Sequence, residues 1–334
     1  MRRPWLAPLI PLYMGGLALR ELRLRKGWEP VRRLRWPVVS IGNLSVGGAG
    51  KTPMAIALAR LLSRNGFHVD VLSRGYGRES REAARVDAAG SAAEFGDEPL
   101  LIAREAGVPV YVAPQRYAAG AMAEADAPQA ERGVHLLDDG FQHRQLHRDV
   151  DILLVHRRDL VDDLLPGGNL REPLSAMRRA SMVAIDSDEP VVEQVLREQP
   201  GAGQPALWNG PVWRVRRVME APQAPGPVVA FCGIAQPEQF FAGLAAAGLQ
   251  LVGRIAFPDH HAYRSDDLQR ILTAAREARA ASFVTTEKDA VRLRGKMEAF
   301  PASVPVLTAQ LRVELEDEAV ALQWLTERLA ALRL

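Results

Sequence analysis

From residue 37 to residue 186 the chain repeats one pattern. A short apolar run rich in β-branched residues gives way to a polar or Gly-rich break, and a longer stretch with helical spacing follows. The runs are residues 37–42, "FHVDVLSRGYG", "VPVYVA", "GVHLLDD", "DVDILLVH" and "SMVAID". Helical spacing falls at 52–65, which ends near the C-cap pair Asn65-Gly66, and in "DEPLLIAREAG" and "RYAAGAMAEADA". The apolar runs are continuous rather than alternating, so both faces of each strand are buried. Alternating with helices, they predict a parallel sheet covered on two sides.

Residues 198–227 break the pattern with Pro and Gly around "LWNGPVWRVRRV", where Asn209-Gly210 predicts a β-hairpin. After them the alternation resumes in "PVVAFCGI", "PEQFFAGLAAAG", "LQLVGRIAF", "SDDLQRILTAAREA", "ASFVTT", "VPVLTAQLRVEL" and a last helix from Glu316. The expected organisation is a parallel-sheet domain over 37–197, a β-hairpin linker over 198–227 and a smaller α/β domain over 228–334. At 334 residues two domains are a fair expectation, and no internal repeat is present.

Charge changes the picture at one end. Residues 1–36 carry nine Arg or Lys against Glu21 and Glu29, a net +7; the whole chain is +2, so the remainder is −5. Trp5 to Leu19 is apolar but only fifteen residues long and is interrupted by Pro8 and Pro11. A membrane span needs about 20 such residues, and Ala18-Leu19-Arg20 is a poor signal-cleavage site. Residues 1–36 therefore read as an amphipathic, membrane-associated segment lying on an anionic surface. The basic residues cluster beside apolar ones rather than along a groove with stacking aromatics, so nucleic acid is not expected. Cys232 is the only cysteine, which excludes an internal disulfide and fits a small buried side chain in a reducing compartment.

The candidate chemistry starts at "SVGGAGKT". Ser45, Val46, Gly47, Gly48, Ala49, Gly50, Lys51 and Thr52 follow the phosphate-loop pattern G-x-x-x-x-G-K-[ST], with Ser45 replacing the first Gly. A strand precedes the loop and a helix follows it, which is the context that cradles phosphate oxygens on backbone N–H groups. Lys51 would reach the terminal phosphates and Thr52 would hold Mg²⁺. A second metal partner is expected after a neighbouring strand, and Asp138 and Asp139 stand there. The first domain is thus expected to be P-loop NTPase-like and to bind a nucleoside triphosphate with Mg²⁺, ATP over GTP. "TTEKDAV" resembles a guanine-reading T-K-x-D, but Glu287 stands at the lysine position.

Seven stretches in order, "NLSVGGAGKTP", "LSRGYGR", "GDEP", "LLDDGFQH", "LLPGGNLREP", "FPDHH" and "TTEKDAVR", together with the basic apolar N-terminus, resemble the tetraacyldisaccharide 4′-kinase family from about residue 4 to about residue 295. The resemblance implies transfer of the γ-phosphate of ATP to the 4′-hydroxyl of a tetraacyl glucosamine disaccharide 1-phosphate, giving lipid IVA. It also implies a monomer on the cytoplasmic face of the bacterial inner membrane, and two α/β/α domains that close over the nucleotide.

Asp97 would by its position be a helix cap; the resemblance makes it the catalytic base, with Lys51 at the phosphates. The family pattern favours His260 over His261 as its partner. Arg74, Tyr76, Gln142, His143, Arg171 and Glu172 would surround the acceptor sugar and its phosphate, with Arg116 of "PQRY" beside them. The rival readings are a P-loop switch ATPase or GTPase acting on a protein partner, and a membrane adaptor whose nucleotide is structural.

Overall fold

The structure, a computed structural model, describes residues 3–198 and 205–332. Residues 1–2 of the expected membrane segment, 199–204 of the expected linker and 333–334 at the end of the expected second domain lie outside them. In chain order the strands are β1 (Val38–Asn43), β2 (His68–Ser73), β3 (Ala84–Arg85), β4 (Val110–Val112), β5 (Gly133–Asp138), β6 (Val150–Val155) and β7 (Met182–Asp186). β8 (Val212–Glu220), β9 (Val228–Cys232), β10 (Leu251–Ala256), β11 (Ser282–Thr286) and β12 (Val306–Leu315) follow. They form one twelve-stranded sheet in the order β10-β9-β11-β12-β8-β7-β6-β1-β5-β2-β4-β3. Every neighbouring pair is parallel except β3–β4 and β8–β12. β1, β5 and β6 are buried at every position, as continuous apolar runs require.

The expected hairpin at Asn209-Gly210 does not form. Residues 212–215 of β8 run parallel to β7, and 215–220 pair antiparallel with 310–315 of β12, whose residues 306–309 run parallel to β11. The antiparallel seam between the two parallel arrays therefore joins strands far apart in the chain. The segment before β8 is committed elsewhere. Trp208 is buried, its backbone N–H donates to Leu196 O at 2.9 Å and its indole N–H to Pro211 O at 3.1 Å. A Cβ on Gly210 would lie 2.3 Å from that indole. Burying the ring outweighs a local turn.

The N-terminus forms a 3₁₀ turn, Pro4–Leu9, and a helix, Ile10–Arg25, neither with a buried residue. Trp5 and Leu12 are 74% and 77% exposed, and Leu9, Met14, Leu19 and Leu22 are also exposed. Among the described residues no helix is long and apolar enough to cross a membrane. The helix is tied to the body by Tyr13, whose hydroxyl donates to Arg171 O at 2.8 Å, and by Arg3 N–H to Gly167 O at 2.6 Å.

At the opposite end of β5 from its aspartates, His135 is fully buried with Asp70 of β2, its Nδ1 2.8 Å from Asp70 Oδ1 and its Nε2 3.4 Å from Glu124 Oε1. Burial opposes protonation of His135, but the two carboxylates outweigh it and push its pKa up to about 9 from 6.5. A raised histidine pKa means the folded state holds the proton more tightly than the unfolded chain. This contribution is therefore full below pH 6.5 and lost as pH rises through about 9. His135→Ala should cost about 3–5 kcal/mol, because it leaves buried carboxylates unpaired. Chemical denaturation between pH 6 and 9.5 checks both. Variant and parent melting together at pH 6.5 would contradict the ion-pair account.

Candidate active site

β1 and β5 are neighbours with Ile41 opposite Asp138, so the phosphate loop after β1 and the acids after β5 open on the same edge of the sheet. The loop turns on Gly47 and Gly50, at φ +99° and +78°, a region that side chains rarely adopt. Gly50 caps the helix Lys51–Arg64, which buries Met54, Leu58, Leu61 and Leu62. The loop is braced from outside: His156 Nε2 reaches Ala49 O at 3.1 Å, while Arg158 and Gln236 donate to Gly48 O at 2.8 and 3.1 Å. Ser45 is buried and its Oγ accepts from Asn43 Nδ2 at 3.1 Å, which gives a serine at the first-glycine position a structural use.

Lys51 Nζ donates to Asn43 Oδ1 at 3.1 Å and lies 3.7 Å from Asp139 Oδ1. Arg171 forks onto both Asp139 oxygens at 3.1 and 2.9 Å. Asp139 holds φ +48°, uncommon for a residue with a side chain. The paired acids are split electrostatically. Burial works against Asp139, but Lys51 and Arg171 pull it down to about 2. Asp138 has no such cation in contact; burial, then Glu98 and Asp139, push it up to about 7. Among the described residues its buried Oδ1 has no hydrogen-bond partner, and Ser73 Oγ is 3.4 Å from Oδ2. A buried carboxylate oxygen without a partner, in a cleft that the buried Thr52 also lines, fits a hard divalent cation such as Mg²⁺. Among the described residues no group of three or more His, Cys, Asp and Glu forms a cation cage. Mg²⁺ at nucleotide sites draws few ligands from protein and the rest from phosphate and water, so the sparse set fits it.

Asp97 is the first residue of the helix Asp97–Glu105, whose N-cap is Gly96, so Asp97 does not occupy the cap position. It points across the cleft. Arg292 Nε donates to Asp97 Oδ2 at 2.8 Å, and His260 Nδ1 is 3.1 Å from the same oxygen. Burial would raise the Asp97 pKa, but His260 and Arg292 hold it well below the usual carboxylate range. The bond to Asp97 raises His260 in turn, against burial. His260 sits at φ +58° with its ring 5.5 Å from that of Tyr76. His261 faces away, stacked on Phe257 at 4.6 Å and bonded to Asp267 at 2.9 Å.

Residues 46–52, Asp138, Asp139, Arg171 and His260 line one cleft of about 920 Å³, together with Arg74, Tyr76, Arg116, Gln142 and His143, and Asp97 meets this lining through its bond to His260. Gln142 Nε2 donates to Asn43 O at 2.9 Å. Arg20, from the N-terminal helix, enters the cleft and bonds Gln142 O. His143 is pushed down to about 3 by burial and then by Arg116, Arg148, Arg20 and Arg74. Arg116 is pushed down to about 10, first by burial and then by Arg74. This corner is short of negative charge, which an anionic ligand would supply. Glu172 does not join the others: it is buried outside the cleft lining, paired with Arg179 at 2.7 Å.

Four residues were not singled out by sequence: Asn43, Glu98, Lys288 and Arg292. Glu98 and Lys288 form an ion pair of 2.5 Å in the cleft. Lys288 and Arg292 lie four apart on the helix Glu287–Arg292, so "TTEKDAVR" places two cations on one helical face, a signal that was readable. Asn43, a strand-end residue, carried none.

A mostly parallel α/β sheet with a phosphate loop at the end of β1 and an acid pair at the end of β5 defines a P-loop protein. Within that class, the chain belongs to the tetraacyldisaccharide-1-P 4′-kinase family, whose model matches residues 2–330. The tetraacyldisaccharide 4′-kinase of Koribacter versatilis is 42% identical over 326 residues, covering 94% of this chain and 96% of that protein. That of Halorhodospira halophila is 39% identical over 298 residues, covering 88% and 85%. A crystal structure of LpxK from Aquifex aeolicus in complex with ATP is 32% identical, with a TM-score of 0.73 and coverage of 97% of this chain and 98% of that one.

Proposed function

We propose that this chain transfers the γ-phosphate of ATP to the 4′-hydroxyl of a tetraacyl glucosamine disaccharide 1-phosphate, giving lipid IVA, at the cytoplasmic face of the bacterial inner membrane. The observation that carries this reading is the Asp97–His260 pair, 3.1 Å apart, whose His260 lines the same cleft as the phosphate loop. A switch ATPase acting on a protein has no use for a proton-accepting pair facing its nucleotide, and the family favours the kinase.

Residues 45–52 hold the ATP phosphates, with Lys51 at the transferring end. Thr52 and Asp138, with Asp139 beside them, would hold Mg²⁺, which would supply positive charge against the phosphates. The acceptor hydroxyl is lined up by Tyr76, Gln142 and Arg171, and its phosphate meets Arg74, Arg116 and His143. Its proton is taken up by Asp97 and His260 as a coupled pair. Asp97 lies within residues 37–197 and His260 within 228–334, so a monomer holds both halves of the pair, and closure of these two lobes over the nucleotide would shield it from water. Glu172, paired with Arg179 at 2.7 Å outside the cleft lining, is left out of the acceptor contacts. Label from γ-labelled ATP should appear in lipid only when the tetraacyl disaccharide 1-phosphate is supplied in mixed micelles. Equal ATP consumption without acceptor would favour the switch reading.

The N-terminal helix brings the enzyme to a substrate that stays in the bilayer. Because it also enters the cleft through Arg20, point changes test docking better than deletion. Trp5→Ser and Leu12→Ser remove only exposed apolar surface. Burying such a side chain contributes about 1.5–3 kcal/mol, and each nearby basic residue about 1 kcal/mol on an anionic surface. Each change should weaken flotation with anionic vesicles about tenfold and raise KM for bilayer acceptor, with kcat held. Unchanged flotation would assign docking to another surface.

A further inference from the structure

We infer that Arg292 is a positioning residue for the proton-accepting pair: anchored by the buried Asp289, its guanidinium holds the Asp97 carboxylate, and with it His260, in the geometry for transfer. This rests on the reading of Asp97 and His260 given above.

Arg292 closes the helix Glu287–Arg292, and its side chain is 7% exposed. Every guanidinium nitrogen is engaged. Nε donates to Asp97 Oδ2 at 2.8 Å and Nη2 bonds the same oxygen; Nη1 donates to Asp289 Oδ1 at 2.9 Å and to Gly233 O at 2.6 Å. Nη2 also lies 3.4 Å from His260 Nδ1. The two carboxylates bridged in this way are far apart in sequence, and only the planar fork of arginine spans both.

The anchor is itself rigid. Asp289 is fully buried, and its Oδ2 accepts from Gly233 N–H at 3.0 Å and Thr286 Oγ at 2.6 Å. Gly233 O in turn accepts from His260 N–H at 3.2 Å. One residue, Gly233, thus carries bonds to Asp289, Arg292 and the backbone of His260. A Cβ there would lie 3.0 Å from the Cβ of His261, so the turn has little room to shift. Asp97 comes from the other lobe, so Arg292 ties its placement to that of His260. The bonds to Asp97 all fall on Oδ2, and no described residue bonds its Oδ1.

The groups facing this pair set the sign of a pH effect. Besides Arg292 they are the Glu98–Lys288 ion pair, Asp259 at 3.9 Å from His260 Nε2, Asp289, and Tyr76 against the His260 ring. Arg292 is the cation bonded directly to Asp97. Without it both Asp97 and His260 bind protons more readily, and the acid limb of kcat/KM moves to higher pH.

The test measures kcat, KM for ATP and the pH profile of phosphoryl transfer in full-length wild type, Arg292→Gln, Arg292→Lys and Asp97→Asn. Arg292→Gln should lower kcat about 10- to 100-fold with KM for ATP unchanged, since misplacement of a reacting group costs on that order. Its acid limb should move up by about one pH unit. Arg292→Lys keeps a cation but cannot bridge two carboxylates, so its limb should return towards wild type while kcat stays several-fold low. It is also the informative variant should Arg292→Gln not fold. Near-wild-type kcat and an unmoved limb in Arg292→Gln, or full kcat in Arg292→Lys, would overturn the inference while Asp97→Asn is inactive. Wild-type turnover in Asp97→Asn would instead remove the reading of the pair on which it rests.

Discussion

Replacing Lys51 by Ala should lower kcat by about 10²–10³-fold at saturating ATP, the scale expected when one preorganised charge at a transferring phosphoryl group is lost. The structure gives two reasons. Lys51 Nζ sits on Asn43 and beside Asp139 in the phosphate loop's own cleft, so it is oriented before any ligand arrives and needs little reorganisation. It also restrains the acids: its charge lowers both Asp139 and Asp138, and without it each holds its proton more readily. Lys51→Arg should not rescue. The longer planar head would meet Arg171, which already occupies Asp139 and Asn43 Oδ1. Single-turnover transfer at rising ATP separates lost binding from lost chemistry, and near-normal turnover in Lys51→Ala would refute the assignment.

The second large effect belongs to the pair. Asp97→Ala and His260→Ala should each lower kcat by about 10²–10⁴-fold, the range of a general base. The double variant should be little worse than the worse single, because the two act as one unit. Asp97 alone is a weak base, its pKa held low by His260 and Arg292, whereas His260 is raised by Asp97. With Asp97 low and His260 raised, the proton rests on His260 and the charge on Asp97, so the two titrate as one unit that removing either dismantles. His261→Ala should change kcat little, since that ring is occupied by Phe257 and Asp267. Multiplicative losses in the double variant would show that Asp97 and His260 act separately.

Much of the frame was legible because it is written in local contacts. A continuous apolar run needs burial on both faces wherever it lies, so β1, β5 and β6 could be placed from composition alone. The phosphate loop was readable because positive φ at Gly47 and Gly50 and a helix start at Lys51 are demands met within a few residues. The paired acids after β5 were readable as a pair. Their division into a compensated Asp139 and an uncompensated Asp138 was not, since it depends on where Lys51 and Arg171 arrive.

By itself, the sequence determined the alternation of strand and helix, the phosphate loop with its lysine, the basic apolar N-terminus and, through the order of its motifs, the family. Only the tertiary structure decided that β8 pairs with β12 instead of forming a hairpin, that Asp97 faces His260 and Arg292 instead of capping its helix, and that Glu172 turns to Arg179. The physical reason is range. Propensity, capping and glycine torsions act over one turn of chain, whereas these pairings join residues that only the burial of Trp208, the assembly of the sheet and the anchoring of Arg292 by Asp289 bring together.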